Sequence, residues 1–103
     1  RTALYHADYE PVIANKAGQP RTEIVTLCGK HCESGDAVVI DMSIQHPDLS
    51  DIVCVFATGA YNHTMANNYN GQPRPAIVFV KDGQARVVTR RETYEDLLSR
   101  ELV

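Results

Sequence analysis

Short apolar runs separated by turn-forming residues recur along the chain, and this pattern predicts a mainly β protein. Residues 3–20 are rich in Tyr, Val and Ile and then carry Gly and Pro, so they are expected to form a strand followed by a loop. Pro11 inside this segment favours an edge position or a bulge. Further strands are expected at residues 21–29, 37–44, 51–58, 74–80 and 84–91.

The turns and the end of the chain complete the predicted architecture. Asp82-Gly83 stands between two β-rich runs and predicts a hairpin. Residues 59–73 lack a long apolar period and should form a connection with one helical turn. A helix is expected over residues 93–102, where apolar positions have helical spacing and Thr93 with Asp96 makes a capping-box pattern. We therefore expect a Greek-key-like β-barrel or sandwich of about six strands with one short C-terminal helix.

Length and composition limit the classes of protein that need to be considered. The chain has 103 residues, the size of one domain, and ten basic against thirteen acidic residues give a net charge of -3. Without a basic block, nucleic acid is not an expected partner. No apolar run is long enough to span a membrane, and an odd number of only three cysteines suits a reducing compartment, so we predict a cytoplasmic protein. Because the chain begins with Arg1 inside patterned sequence, we expect a fragment.

Residues 30–39, KHCESGDAVV, hold the main chemical candidates, Cys32 and Glu33. Three interpretations are open: a plain turn, half of a metal site, or a catalytic loop at the mouth of a β-structure. A zinc site would need four ligands in closed geometry, and one irregular cluster does not predict it, so no metal is expected. The other two cysteines, Cys28 and Cys54, are expected to serve packing. Acidic neighbours favour Cys32 as a proton donor over an attacking thiolate.

Four motifs in order across the chain carry a resemblance to a known family. They are RTALY at residues 1–5, CESGD at 32–36, GAYNHTMANNYNGQPRPA at 59–76 and RRETYEDLL at 90–98. Together they resemble the C-terminal part of the diaminopimelate decarboxylase family, pyridoxal-phosphate enzymes of the alanine-racemase-like, fold-type III group. Small departures exist, such as Thr2 where Pro is usual.

The resemblance implies a two-domain enzyme, of which residues 1–103 would be only the C-terminal β-domain. A (β/α)8 barrel, expected in the same full-length protein, would hold pyridoxal 5'-phosphate through a lysine. Neither Lys16 nor Lys81 stands in a motif like that of the cofactor lysine, so the chain alone should be inactive. Its expected partners are a small-molecule substrate, its own N-terminal barrel and a second subunit in a homodimer.

Residue roles also follow from the resemblance. Cys32 would reprotonate the α-carbon after carbon dioxide leaves, and Glu33 would bind the distal ammonium of meso-2,6-diaminopimelate. Arg1 and Tyr5 would hold the distal carboxylate, and Tyr61 would reach the cofactor phosphate or its vicinity.

Two alternatives stay open for the function. One is a related decarboxylase for ornithine, arginine, carboxynorspermidine or carrier-bound glutamate, and the other is a non-catalytic dimerisation or interaction module. The ornithine enzymes typically have Asp after the cysteine, so Glu33 together with Arg1 and Tyr5 favours a substrate that ends in a second amino-acid group.

Overall fold

The structure, a computed structural model, describes His6 and residues 8–102. These residues fall into two compact units, Arg1–Asn62 and His63–Val103. Both units contain antiparallel strands, and the strands are named in chain order below.

The first unit holds four strands that form two antiparallel pairs. Strand β1 (Pro11–Ile13) pairs with β4 (Val53–Val55), and β2 (Glu23–Cys28) pairs with β3 (Ala37–Ile44). A helix, α1, begins at Gly59 and ends at Met65. The long β2–β3 hairpin matters most for the candidate site, because its connecting loop carries CESGD.

A small apolar core stabilises the first unit around β1 and β3. Val12, Ile13, Val39 and Ile44 are buried, and Ile13 has no exposed surface. Gln45 is the one polar side chain buried among the residues that the structure describes, and its Oε1 accepts a hydrogen bond from the backbone N–H of Ile13 at 3.0 Å. Since a buried polar group is costly unless it is bonded, this contact fixes the end of β3 against β1.

Pro11 is the first residue of β1 and lies opposite Val55 in a two-stranded ladder. Every strand of such a ladder is an edge strand, so the missing N–H of proline costs no central hydrogen bond. The predicted edge position of Pro11 is confirmed.

The second unit contains a 3-10 helix at Tyr69–Gly71, a hairpin and a short α-helix. Strand β5 (Ile77–Lys81) pairs with β6 (Gln84–Thr89), and helix α2 spans Tyr94–Leu98. Asp82 and Gly83 link the strands with φ angles of 51° and 72°, the positive values that a type I′ turn requires. Both the predicted hairpin and the predicted Thr93–Asp96 capping box are confirmed.

The predicted fold class is confirmed in its strands: the described residues form six strands, with one short helix near the C-terminus. Barrel closure is not seen, because the strands between residues 8 and 102 pair as three separate two-stranded sheets. The residues of β2 alternate between half-buried and exposed, and Ile24 is 68% exposed, so one face of β2 is covered and the other stays open.

The described part of the chain contains no helix that is long and apolar enough to cross a bilayer.

Candidate functional site

Cys32 and Glu33 lie in the loop of residues 29–36, which connects β2 to β3. The loop closes on itself through backbone hydrogen bonds: Gly29 N donates to Asp36 O at 2.7 Å, and Asp36 N donates to Glu33 O at 3.1 Å. A further bond of 2.8 Å runs from Glu33 N to the carbonyl of His31. A loop that satisfies its own backbone groups in this way has a defined shape at the protein surface.

Asp36 organises this loop with its side chain as well as its backbone. Its Oδ2 accepts a hydrogen bond from the backbone N–H of His31 at 2.8 Å, on the residue directly before Cys32. The same carboxylate occupies the space beside Gly29, where an added Cβ would collide with it. Sequence reasoning treated Asp36 only as an acidic neighbour of Cys32. The available signal was an aspartate beside a loop glycine, since Asp commonly accepts bonds from nearby backbone N–H groups.

The side chains of Cys32 and Glu33 are both exposed. Oε1 of Glu33 accepts weak hydrogen bonds of 3.3 Å from Ser34 Oγ and from the backbone N–H of Gly35. These bonds orient the carboxylate but leave acceptor capacity on its oxygens. The loop thus presents a thiol, which can donate a proton, beside a carboxylate, which can bind a cation.

Tyr61 comes after strand β4 of the same unit, in the first turn of α1. Its backbone lies in the left-handed region, with φ 70° and ψ -42°, and the preceding Ala60 is extended. An aromatic residue with positive φ is a genuine outlier, and such strain persists only where the surroundings impose it. The Tyr61 side chain is 62% exposed, so this irregular turn directs the phenol outward.

Asn62, directly after Tyr61, ties the turn to the rest of the first unit. Its Nδ2 donates to the carbonyl of Thr58 at 2.9 Å and to the hydroxyl of Tyr9 at 3.1 Å. Sequence reasoning assigned no role to Asn62 or Tyr9. The contact joins residues 53 positions apart, and no local pattern predicts it.

Arg1 and Tyr5 lie outside the described residues. Their predicted role in holding a distal carboxylate therefore stays a prediction.

The prediction that Cys28 and Cys54 serve packing was wrong. Both side chains are exposed, since Cys28 ends β2 on its open face and β4 pairs only with β1. Within His6 and residues 8–102, no group of three or more His, Cys, Asp or Glu side chains is placed to hold a metal ion.

Lys16 forms a structural ion-pair cluster. Its Nζ donates to Asp48 Oδ2 and Asp51 Oδ2, both at 2.6 Å, and to the carbonyl of His46 at 2.9 Å. The hydrogen bonds that Lys16 donates to Asp48, and then to Asp51, raise the pKa of Lys16 and hold it as an ammonium. A lysine that captures a cofactor carbonyl must offer a neutral amine, so Lys16 does not fit that task.

The residues of the first unit fit an accessory role toward pyridoxal phosphate. Tyr61 is exposed, and a phenol O–H is able to donate a hydrogen bond to a phosphate oxygen. The Lys16 ammonium donates to three acceptors of its own unit.

In the second unit, Glu92 connects the long loop to β6 and α2. Oε2 of Glu92 accepts bonds of 2.7 Å from Arg74 N and Asn68 Nδ2, and Oε1 accepts a bond of 2.9 Å from the Arg74 guanidinium. The backbone N–H of Arg74, then Asn68, lower the pKa of Glu92. Asn68 also donates to the carbonyl of Gln72, and Asn67 accepts from the backbone N–H of Tyr69, so both side chains shape the loop through bonds to its backbone.

Comparison with known proteins gives a consistent picture. The family model for the C-terminal sheet domain of pyridoxal-dependent decarboxylases matches residues 1–59. The chain is 48% identical over 102 residues to diaminopimelate decarboxylase of Bacillus subtilis, covering 99% of this chain and 23% of that protein. It is 50% identical over 98 residues to the Synechocystis sp. protein of the same name, covering 95% of this chain and 21% of that protein.

Solved structures show the same similarity in three dimensions. Diaminopimelate decarboxylase from M. jannaschi matches with a TM-score of 0.86 and 32% identity, covering 100% of this chain and 23% of that chain. The Helicobacter pylori enzyme, complexed with L-lysine, matches with a TM-score of 0.82 and 30% identity, covering 98% of this chain and 25% of that chain.

The chain spans about a quarter or less of the length of these relatives. The family match extends over more than half of the chain and includes the β2–β3 loop with CESGD. The chain belongs to the family of C-terminal sheet domains of pyridoxal-dependent decarboxylases.

Proposed function

We propose that this chain is the C-terminal domain of a diaminopimelate decarboxylase, which converts meso-2,6-diaminopimelate to L-lysine and carbon dioxide. The observation that carries the proposal is the exposed Cys32–Glu33 pair on a loop braced by Asp36. The relatives that share about half of its residues bear that enzyme's name. The whole reaction would need the full-length protein, with its barrel domain, a second subunit and pyridoxal 5'-phosphate.

The chain's part in the chemistry is proton transfer and recognition of the substrate. Pyridoxal phosphate, when bound, supplies the electron sink for decarboxylation. As carbon dioxide leaves, an electron pair stays at the α-carbon, and the Cys32 S–H gives its proton to that carbon. The resulting thiolate regains a proton from solvent. A positioned S–H group can serve as a general acid in such a step.

Glu33 would select the substrate through its distal end. Its carboxylate keeps free acceptor sites and can bind an ammonium group in a charge-assisted hydrogen bond. Arg1 and Tyr5 would bind the neighbouring carboxylate, and an arginine fork suits this role because it makes two bonds at once. An analogue that lacks one distal charge would leave its partner unpaired, typically at a cost of ~3 to 5 kcal/mol.

Tyr61 would contribute to cofactor binding from the same unit. Its exposed phenol can donate to the phosphate or to a group near it. The barrel domain of the full-length protein would supply the remaining cofactor contacts, including the lysine. In the described chain, Lys16 is fully engaged with acceptors, which supports the expectation that the isolated chain is inactive.

A substrate comparison tests the proposal directly. The full-length protein, loaded with pyridoxal phosphate, is assayed for carbon dioxide release on meso-diaminopimelate, ornithine and arginine at equal concentrations. We expect meso-diaminopimelate to have the highest kcat/KM and lysine to be the product. A higher kcat/KM on ornithine or arginine would identify a related decarboxylase. Absence of turnover on all three would favour a non-catalytic module.

A further inference from the structure

We propose that Asn62 and Tyr9 are positioning residues that set the location of the Tyr61 phenol. The proposal rests on the proposed function, in which Tyr61 contributes to cofactor binding. Neither Asn62 nor Tyr9 is expected to touch the cofactor. Their effect passes through the backbone turn that carries Tyr61.

The first argument is the geometry of the turn itself. Tyr61 has φ 70° and ψ -42°, whereas the next residues continue as helix to Met65. A bulky residue in this region would relax to negative φ unless neighbouring contacts hold it. A contact that spans the turn is therefore needed to keep the Tyr61 side chain directed outward.

The Asn62 side chain supplies such a contact. Its Nδ2 donates to the Thr58 carbonyl at 2.9 Å, so the bond joins the residues on either side of Gly59–Tyr61. Thr58 is itself held, because its Oγ1 donates to the carbonyl of Val55, the last residue of β4. Since a carbonyl only accepts hydrogen bonds, the amide nitrogen of Asn62 must face it, and this fixes the orientation of the carboxamide.

The second bond from Nδ2 anchors the turn to a rigid part of the unit. It reaches the Tyr9 hydroxyl at 3.1 Å, and both Tyr9 and Asn62 are half-buried. The residue after Tyr9 is also tied down, because the Glu10 carbonyl accepts a bond of 3.0 Å from Phe56 N. Buried Pro11 follows, paired with Val55. Tyr9 thus comes just before β1, next to a residue whose backbone is bonded to the segment after β4, and its hydroxyl links the Tyr61 turn to this part of the unit.

Three variants of the full-length protein test the inference. Asn62→Asp keeps the size of the side chain but removes the N–H donor, and it places a carboxylate against the Thr58 carbonyl. Tyr9→Phe removes only the hydroxyl, and the third variant combines both changes. Tyr94→Phe, at an exposed tyrosine in α2, is the matched control.

The first measurement does not depend on catalysis. The protein is labelled with 3-fluorotyrosine, and the Tyr61 ¹⁹F resonance is assigned as the one lost in Tyr61→Phe. We expect this resonance to shift or broaden in Asn62→Asp and in Tyr9→Phe, and to stay unchanged in Tyr94→Phe. An unchanged Tyr61 resonance in both test variants would overturn the inference.

The second measurement is the Kd of pyridoxal phosphate, from titration of the cofactor-free protein. Loss of one hydrogen bond of ordinary strength predicts affinity weaker by about 2- to 10-fold in Tyr9→Phe, and Asn62→Asp, which removes both bonds of Nδ2, should weaken affinity at least as much. The double variant should bind no more weakly than Asn62→Asp alone, because that change already breaks the bond to Tyr9. If the losses of binding free energy in the two single variants add fully in the double variant, the residues act separately and the inference is contradicted.

The two proposals fail in different ways. If Tyr61→Ala leaves the Kd of pyridoxal phosphate unchanged, the cofactor role of Tyr61 is wrong, and the ¹⁹F measurement still decides whether Asn62 and Tyr9 position it. If Tyr61→Ala weakens cofactor binding but the Tyr61 ¹⁹F resonance is unchanged in Asn62→Asp and Tyr9→Phe, only the positioning inference fails.

Discussion

The Asp36 carboxylate accepts the backbone N–H of His31 at 2.8 Å, and this bond spans the loop that presents Cys32 and Glu33. The carboxylate can take this place only because residue 29 has no side chain. The loop's shape therefore depends on a glycine and an aspartate that stand at its two ends, outside the pair that would act on the substrate.

Gly29→Ala should displace the Asp36 carboxylate and thereby shift the loop. We expect the full-length variant to lose about 10-fold or more in kcat, because a displaced proton donor loses much of its catalytic contribution. Gly18→Ala is the control, since a Cβ at Gly18 meets no atom within 4 Å. Steady-state kinetics on meso-diaminopimelate and a thermal melt of each variant make the measurement. Equal kcat for Gly29→Ala and Gly18→Ala would show that the loop tolerates the added methyl group.

Glu33→Gln should impair recognition of the distal ammonium. The amide keeps the shape of the side chain but removes its negative charge. We expect kcat/KM on meso-diaminopimelate to fall about 100-fold, which is the effect of removing one partner from an ion pair that is shielded from water. Glu101→Gln, at an exposed position, is the matched control. The measurement is kcat/KM for each full-length variant. A fall in kcat/KM of less than about 3-fold would match the small contribution of an ion pair exposed to solvent, and it would exclude a role of Glu33 in binding the substrate.

The Lys16–Asp51 pair predicts how stability depends on acid. Hydrogen bonds from Lys16, Asn15 and the backbone of Asp48 lower the pKa of Asp51 from 3.8 to about 2. A carboxyl with a lowered folded pKa stabilises the fold above its unfolded pKa, and this contribution is lost as pH falls through the folded value. We therefore expect stability from this pair to disappear between about pH 4 and pH 2.

Denaturant unfolding of the full-length protein across this pH range checks the prediction, with Lys16→Met as the test variant. The variant should be less stable than the parent at pH 6, and the difference should shrink towards pH 2. A constant difference from pH 6 to pH 2 would mean that the ionised Asp51 carboxyl contributes nothing through Lys16.

Local patterns in the sequence predicted the elements that local interactions decide. Strand β3 was expected at residues 37–44 and has those bounds, since a β-branched run needs little context to be extended. The Asp82-Gly83 turn and the Thr93 cap were also predicted, because each depends on residues a few positions apart. In these features, the conformation is decided by the backbone preferences of a few residues and by hydrogen bonds between near neighbours in the sequence.

Features that depend on distant contacts were missed. The positive φ of Tyr61 and the Asn62–Tyr9 bond require the β1–β4 ladder, which joins opposite ends of the first unit. The exposure of Ile24 and Cys28 depends on which faces of β2 are covered, and alternation alone does not specify this. For the site, the sequence pointed to Cys32, Glu33 and Tyr61, but it did not identify Asp36 as the residue that braces the loop of Cys32 and Glu33.

The most direct test of the account is turnover by Cys32→Ala in the full-length protein, measured as carbon dioxide and lysine released from meso-diaminopimelate. Cys28→Ala, another exposed cysteine of the same hairpin, is the matched control. We expect Cys32→Ala to keep the absorbance spectrum of bound pyridoxal phosphate and to turn over at least ~100-fold more slowly, the scale of losing a positioned acid. Near-normal turnover by Cys32→Ala would contradict the claim that its thiol gives the proton to the α-carbon.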